Sequence, residues 1–272
     1  MSKDAEQILP FLKWAGGKRW LVSARPELFQ FREERFIEPF LGSGAVFFHV
    51  RPQRAILSDV NPELVSTYAT IKDRWPAVQH ALQRHARSHS NDYYYTVRSV
   101  TLVDDEVQKA ARFIYLNRTC WNGLYRVNRR GQFNVPIGTK TSVTLPTDDF
   151  QATSLVLAGA KLYCRDFNET IESATEDDFL FVDPPYTVKH NLNGFIKYNE
   201  NLFSWDDQVR LKEALVRADK RGVRILMTNA DHASIHDLYR GAFRLESVSR
   251  SSVLAGGIHG RGKVTELLVR NW

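Results

Sequence analysis

Asp183-Pro184-Pro185-Tyr186 follows directly on Phe179-Leu180-Phe181-Val182, and the residues best suited to chemistry gather at that junction. Four consecutive apolar residues fit a strand buried on both faces. Neither proline can donate a backbone hydrogen bond, so the strand ends there and the chain turns. A carboxylate, a proline carbonyl and an aromatic ring are thereby brought to the C-terminal end of a strand, where open α/β sheets receive ligands. Carboxylate and carbonyl are both acceptors, which suits an amino group carrying two hydrogens. The ring offers a face to a flat base. An N-capping Asp and a rigid turn after a core strand would use the same residues for structure alone.

The elements that must position this junction can be read on either side of it. Arg35 to Phe48 reads as a short strand, a glycine turn through Gly42-Ser43-Gly44 and the opening of a helix, as in the first βα unit of a Rossmann-like sheet. Phe47 stands where a dinucleotide fingerprint has its third glycine, which disfavours a pyrophosphate site. A second strand, Ala55 to Leu57, runs into Asp59, about 20 positions after Glu38, the usual distance to a ribose-binding acid. Asp59 could equally cap the next helix. Lys161 to Phe167 reads as another strand ending in an acid and a ring, Asp166 and Phe167. Ser204 caps a helix with Leu211, Ala214, Leu215 and Ala218 on one face, ending before Gly222. Strands follow over 223–228 and 265–269. Polar, flexible loops are expected over 187–203 and 250–263.

Between 62 and 146 the βα rhythm stops. Asp104 and Asp105 open a helix with Val107, Ala110, Ala111 and Ile114 on one face. Beyond it Arg118, Arg126, Arg129 and Arg130 crowd together with Trp121, Asn122, Tyr125 and Asn128, and Arg129-Arg130-Gly131 reads as a hairpin turn. Arg and Asn make bidentate contacts with guanine and adenine edges, and exposed aromatics can wedge between bases. A solvated basic hairpin is the plainer reading, but the interleaved aromatics favour contact with DNA. Near the N-terminus, Trp14 and Lys18 flank Gly16-Gly17, an aromatic face and a cation beside a permissive turn.

The bulk properties are compatible with both readings. The 272 residues are 43% hydrophobic and 25% charged, ordinary for a globular protein, and the net charge of +6 favours a polyanionic partner. Two cysteines, Cys120 and Cys164, make neither a disulfide framework nor a Cys-rich metal site, and no metal is expected. No apolar run reads as a signal peptide or a membrane span, so a cytoplasmic protein without a membrane partner is expected.

The blocks Lys13-Trp14-Ala15-Gly16-Gly17-Lys18, Glu38-Pro39-Phe40-Leu41-Gly42-Ser43-Gly44, Asp59-Val60-Asn61 and Asp183-Pro184-Pro185-Tyr186 resemble those of Dam-type DNA adenine-N6 methyltransferases. The resemblance continues through Leu116-Asn117-Arg118, Asn122-Gly123-Leu124, Arg126 and Gly131 to Pro136, in family order over nearly the whole chain. It implies an α/β fold: a Rossmann-like, S-adenosylmethionine-dependent methyltransferase sheet (1–61 and 147–272) with an inserted, mostly helical target-recognition domain carrying a β-hairpin (62–146). It also implies S-adenosylmethionine as methyl donor, S-adenosylhomocysteine as product and double-stranded DNA as partner. A monomer, associated with the nucleoid, is expected. Catalytic roles fall to Asp183, Pro184 and Tyr186. Donor contacts fall to Trp14, Lys18, Glu38, Pro39, Phe40, Gly42, Gly44, Asp59, Asp166, Phe167 and Asp183. DNA contacts fall to Arg118, Trp121, Asn122, Leu124, Arg126, Asn128, Arg129 and Lys140.

On this reading the Asp183 carboxylate and Pro184 carbonyl each accept one hydrogen of an adenine amino group that has been flipped out of the duplex and stacked on Tyr186. The target sequence expected from relatives is GATC. Tyr186→Phe should be mild and Tyr186→Ala severe. Two alternatives use the same residues: transfer to cytosine N4, and a DNA-binding regulator that keeps the fold without turnover.

Overall fold

The computed structural model describes residues 8–100, 103–128, 130–189, 203–251 and 263–272. The loops expected over 187–203 and 250–263 lie mostly outside them, as does Arg129. The first helix, α1 (Arg19–Ala24), precedes β1 (Arg35–Glu38), α2 (Ala45–Val50) and β2 (Ala55–Asp59). Three helices follow without an intervening strand: α3 (Pro62–Ser88), α4 (Asn91–Ser99) and α5 (Glu106–Thr119). After α6 (Phe150–Leu157) the alternation resumes with β3 (Ala160–Cys164), α7 (Phe167–Glu172), β4 (Asp178–Val182), α8 (Trp205–Lys220), β5 (Arg224–Ala230) and α9 (Ala233–Tyr239). The chain closes with β6 (Arg244–Ser251) and β7 (Lys263–Arg270).

The strands form one seven-stranded sheet in the order β3-β2-β1-β4-β5-β7-β6. β1 pairs in parallel with β2 and β4, and β4 with β5, whereas β7 runs antiparallel to both β5 and β6. Strand order reverses between β1 and β4, which makes the crevice beyond their C-terminal ends the topological switch point where such sheets take ligands. In register, Ile37 of β1 faces Leu180 of β4, so Glu38 and Asp183 both belong to that edge.

β4 is buried over its whole length, as its unbroken apolar run requires. Its first residue, Asp178, is a buried carboxylate held by Nε and Nη2 of Arg35, each at 2.7 Å, and by the Thr175 amide. One face of the sheet packs Leu180, Val182, Met227, Leu267 and Val269 against Leu211, Ala214, Leu215 and Ala218 of α8, the helix face expected from the sequence. The α8 N-terminus is a full capping box between Ser204 and Asp207. β6 had no counterpart in the sequence reading, and β3 stops earlier than expected because Asp166 already caps α7.

The chain divides into two compact units. The first holds Met1–Phe29, Leu41–Gln53 and Asn61–Cys164; the second holds Gln30–Phe40, Arg54–Val60 and Arg165–Trp272. Within the first, α3 and α5 pack together, and α3 is kinked at Arg74, just before Pro76.

Candidate active site and nucleic-acid interface

Asp183 follows the last residue of β4 and is half-buried. Thr228 on the neighbouring β5 donates its hydroxyl to Asp183 Oδ1 at 2.6 Å. Pro184 is buried, while Pro185 and Tyr186 are half-buried. The Tyr186 hydroxyl donates to Glu266 Oε2 on β7 at 2.8 Å. Burial, then the negative charges of Asp183 and Glu266, push the Tyr186 phenol far above its usual range, so it stays a protonated donor.

The turn is braced from behind by buried polar groups. Thr187 donates its hydroxyl to Phe203 O at 2.6 Å, and Asn229 Nδ2 donates to Gln208 Oε1 at 3.1 Å. Gln208 Nε2 in turn reaches Thr187 O at 3.5 Å. Thr228, Asn229 and Gln208 are all fully buried, and each finds a partner there, as buried polar groups must. None of Thr228, Glu266, Gln208 or Asn229 was singled out from the sequence. An acid within the apolar run of a final strand is the one signal that could have marked Glu266.

The other expected donor residues of the second unit line the same sheet edge. Glu38 ends β1 and is only 3% exposed. Asp59 ends β2 half-buried, and its carbonyl accepts the Arg165 amide. It is not the cap of α3: Asn61 accepts from the Glu63 and Leu64 amides in that role. Asp166 caps α7 through the Asn168 amide and pairs with Arg210 at 3.0 Å. Pro39 is buried. Phe40 and Phe167 stack at 5.4 Å, Phe203 meets both, and the Arg210 guanidinium lies 5.0 Å from the Phe167 ring centre. Phe167 is thus set among two rings and a guanidinium.

In the first unit, Trp14 stacks on Tyr125 at 5.6 Å and on Phe113 at 6.4 Å. Gly42, at φ +47°, passes so close that a Cβ there would lie 2.7 Å from Trp14 Cδ1, so no other residue fits. Gly44 is the left-handed N-cap of α2. Lys18 is buried and donates to Gly16 O. The Lys13 amide donates to Asn117 Oδ1 and Asn117 Nδ2 returns a bond to Lys13 O, both at 2.8 Å.

The expected hairpin is present as a tight, barely laddered excursion. Val127 bridges Phe133, Asn128 N donates to Gln132 O, and Gly131 closes the turn at φ +74°. The Asn128 side chain accepts from the Arg130 and Gln132 amides, so it shapes the turn itself. At the base, Trp121 N donates to Pro136 O, and both Tyr94 Oη and Arg98 Nη1 donate to Val135 O. Trp121 is 51% exposed beside Asn122, whose φ of +54° is unusual for any residue but glycine. Leu124, Arg126, Arg130 and Lys140 are exposed too. Arg126 Nε donates to Asn134 Oδ1 at 2.8 Å, which aims the guanidinium along the hairpin.

Arg118 departs from expectation. It is 1% exposed and donates to both oxygens of Asp148, at 2.6 and 2.7 Å, and to the carbonyls of Phe11 and Val143. A guanidinium spent on interior partners cannot reach DNA, so Arg118 is a structural residue. Its place in a basic cluster misled the sequence reading.

No helix among the described residues is long and apolar enough to cross a membrane, and no group of His, Cys, Asp and Glu there could hold a metal ion. The sheet order, with its antiparallel seventh strand set between β5 and β6, and the Asp-Pro-Pro-Tyr turn at the end of β4 define a Rossmann-like methyltransferase sheet. Residues 14–253 match the D12 class of N6 adenine-specific DNA methyltransferases, and the chain belongs to that family. It is 34% identical to the Type II methyltransferase M1.LlaDCHI of Lactococcus lactis subsp. cremoris over 280 residues, spanning 100% of this chain and 98% of that one. It is likewise 34% identical to the DNA adenine methylase of Vibrio cholerae serotype O1, spanning 95% and 94%. The Type II methyltransferase M.MjaIII of Methanocaldococcus jannaschii is 33% identical over 98% of this chain and 100% of its own. The chain is thus an adenine-specific DNA methyltransferase by family.

Proposed function

We propose that the chain transfers a methyl group from S-adenosylmethionine to N6 of an adenine flipped out of duplex DNA, leaving S-adenosylhomocysteine and releasing one N6 proton. The observation that carries this reading is the pair of acceptors, Asp183 and Pro184, at the end of buried β4 beside a hydroxyl-anchored Tyr186. The donor's chemistry fits the residues available. Carboxylates end β2 and follow β4, suited to ribose hydroxyls and a cationic centre, and Phe47 in the glycine turn disfavours a pyrophosphate. Among the second unit's residues, Glu38, Asp59 and Asp166 are the proposed donor contacts, with Phe40 and Phe167 supplying apolar walls. Trp14, Lys18, Pro39, Gly42 and Gly44 are proposed donor-binding residues on the family resemblance alone.

The donor, when bound, supplies an electrophilic methyl group on a sulfonium. Everything else falls to the chain. An adenine amine is a poor nucleophile because its lone pair is delocalised into the ring. With one N6 hydrogen accepted by Asp183 and the other by the Pro184 carbonyl, the amine is drawn toward a tetrahedral shape with its lone pair free. Orientation, and a carboxylate placed where positive charge develops on N6, supply the acceleration. Flipping costs a few kcal/mol, offset by stacking on Tyr186 and by phosphate contacts elsewhere. The 62–146 segment, with Trp121, Asn122, Leu124, Arg126 and Asn128 on its hairpin, is the proposed target reader, and GATC the proposed site.

The test is direct. The protein is incubated with methyl-labelled S-adenosylmethionine and duplex DNA, and the DNA is digested to nucleosides. Label in N6-methyl-2′-deoxyadenosine, present with a GATC-containing duplex and absent with one lacking GATC, supports the reading. Label in N4-methylcytosine, or none at all, overturns it in favour of a cytosine enzyme or a regulator without turnover.

A further inference from the structure

Glu266 has no part in the reaction just described, yet it is buried to 3% exposure in the middle of β7. Burying a carboxylate is costly, and an apolar residue would fill the position without that cost. Its neighbours explain what it does there. Glu266 lies opposite Ala230 of β5, and Thr228 lies opposite Leu268, so Glu266 and Thr228 are diagonal neighbours on one face of the β5–β7 pair. From that face Thr228 donates to Asp183 Oδ1 at 2.6 Å, and Glu266 accepts the Tyr186 hydroxyl at 2.8 Å. The first residue of the Asp-Pro-Pro-Tyr turn is therefore tied to β5 and the last to the neighbouring β7.

We propose that Glu266 is a positioning residue for methyl transfer: by accepting the Tyr186 hydroxyl it fixes the tilt of the ring on which the target adenine stacks. A tyrosine tethered only at Cβ can swing about two side-chain torsions. Held at both ends, its ring presents one plane, and the amine stacked on it keeps one distance from the Asp183 and Pro184 acceptors. Misplacement of a reacting group by about 1 Å can cost a hundredfold in rate. The bond also changes what Tyr186→Phe means. Phenylalanine keeps the stacking face but takes a hydroxyl donor away from a buried carboxylate, so the substitution is no longer a mild one.

The inference rests on the methyl-transfer reading, and the experiment separates the two. Single-turnover methyl transfer, donor affinity and melting temperature are measured for the wild type, E266Q, E266L, Y186F and the Y186F/E266L double variant. E266Q keeps an acceptor oxygen and should stay within about threefold of the wild-type rate. E266L and Y186F should each lose roughly tenfold to a hundredfold in rate with donor affinity unchanged, and the double variant should be no slower than the slower single one. Wild-type turnover in E266L, additive losses in the double variant, or equal losses in E266Q and E266L would each overturn the positioning role. If E266L does not fold, Y186F asks the same question from the other end of the bond, and unchanged turnover in it overturns the proposal. An inactive wild type would instead bring down the methyl-transfer reading and this inference with it.

Discussion

Thr228 donates its hydroxyl to Asp183 Oδ1 at 2.6 Å, so one oxygen of the carboxylate is already engaged before any substrate arrives. The bond orients the carboxylate toward one geometry. In the proposed mechanism Asp183→Asn is the sharper test than Asp183→Ala, because the amide keeps the shape and loses the charge. It should cost about 10²–10³ in single-turnover rate, the scale seen when one preorganised electrostatic contact is removed. Thr228→Val should cost about tenfold, through misorientation alone. DNA binding, followed by fluorescence anisotropy, should change little in either. Asp183→Asn with wild-type turnover would refute the acceptor role.

Arg118 and Asp148 form a buried, two-pronged ion pair, and the remaining guanidinium donors serve the Phe11 and Val143 carbonyls. Arg118→Ala should therefore lower stability by about 3–5 kcal/mol, because it strands a carboxylate with 9% exposure. Arg118→Lys should be nearly as harmful, since an ammonium cannot reproduce the fork. Denaturant unfolding measures both. A variant of normal stability that loses only DNA affinity would restore the DNA-contact reading.

The contrast between these two residues marks how far the sequence could be read. β4 and its turn were legible because the signal is local: four apolar residues and two prolines leave one geometry. The face of α8 was legible from its period for the same reason. Arg118 was not, because its partner Asp148 lies 30 positions on, and a charge in a basic run carries no mark of burial. Glu266 was hidden likewise: its bond to Tyr186 spans 80 positions and depends on β7 running antiparallel against β5. Strand order decides such pairs, and composition does not. That the cap of α3 is Asn61, two residues after Asp59, was no plainer in the sequence, since either side chain suits the role.

Arg126 leans on Asn134, and the segment that carries Asn134 is held at Val135 O by Tyr94 and Arg98 of α4. If Arg126 reads a base, Arg126→Ala should cost about 1–3 kcal/mol at the cognate site and relax choice at one position. Asn134→Ala should do the same more weakly, by freeing the guanidinium. Methylation rates across a panel of singly altered sites decide the matter. A uniform loss on all sequences, with a shallower salt dependence, would make Arg126 a phosphate contact instead.

His85, in the last turn of α3, meets α4 and α5, stacked on Tyr115 at 4.8 Å with Nδ1 2.9 Å from the Tyr93 hydroxyl. Burial first, then the positive charges of Arg84 and Arg112, lower its pKa from 6.5 to about 4. The folded protein thus resists a proton that the unfolded chain accepts. Between those two values the unfolded state binds more protons, so stability falls as pH drops through 6.5 toward about 4, then levels off. His85→Phe keeps the stack on Tyr115 and removes the titration. Its denaturant midpoint should decline less steeply than the wild type's across that window, and the two slopes should coincide at neutral pH and above. Parallel profiles throughout would mean that His85 is protonated in the folded protein as readily as in the unfolded chain.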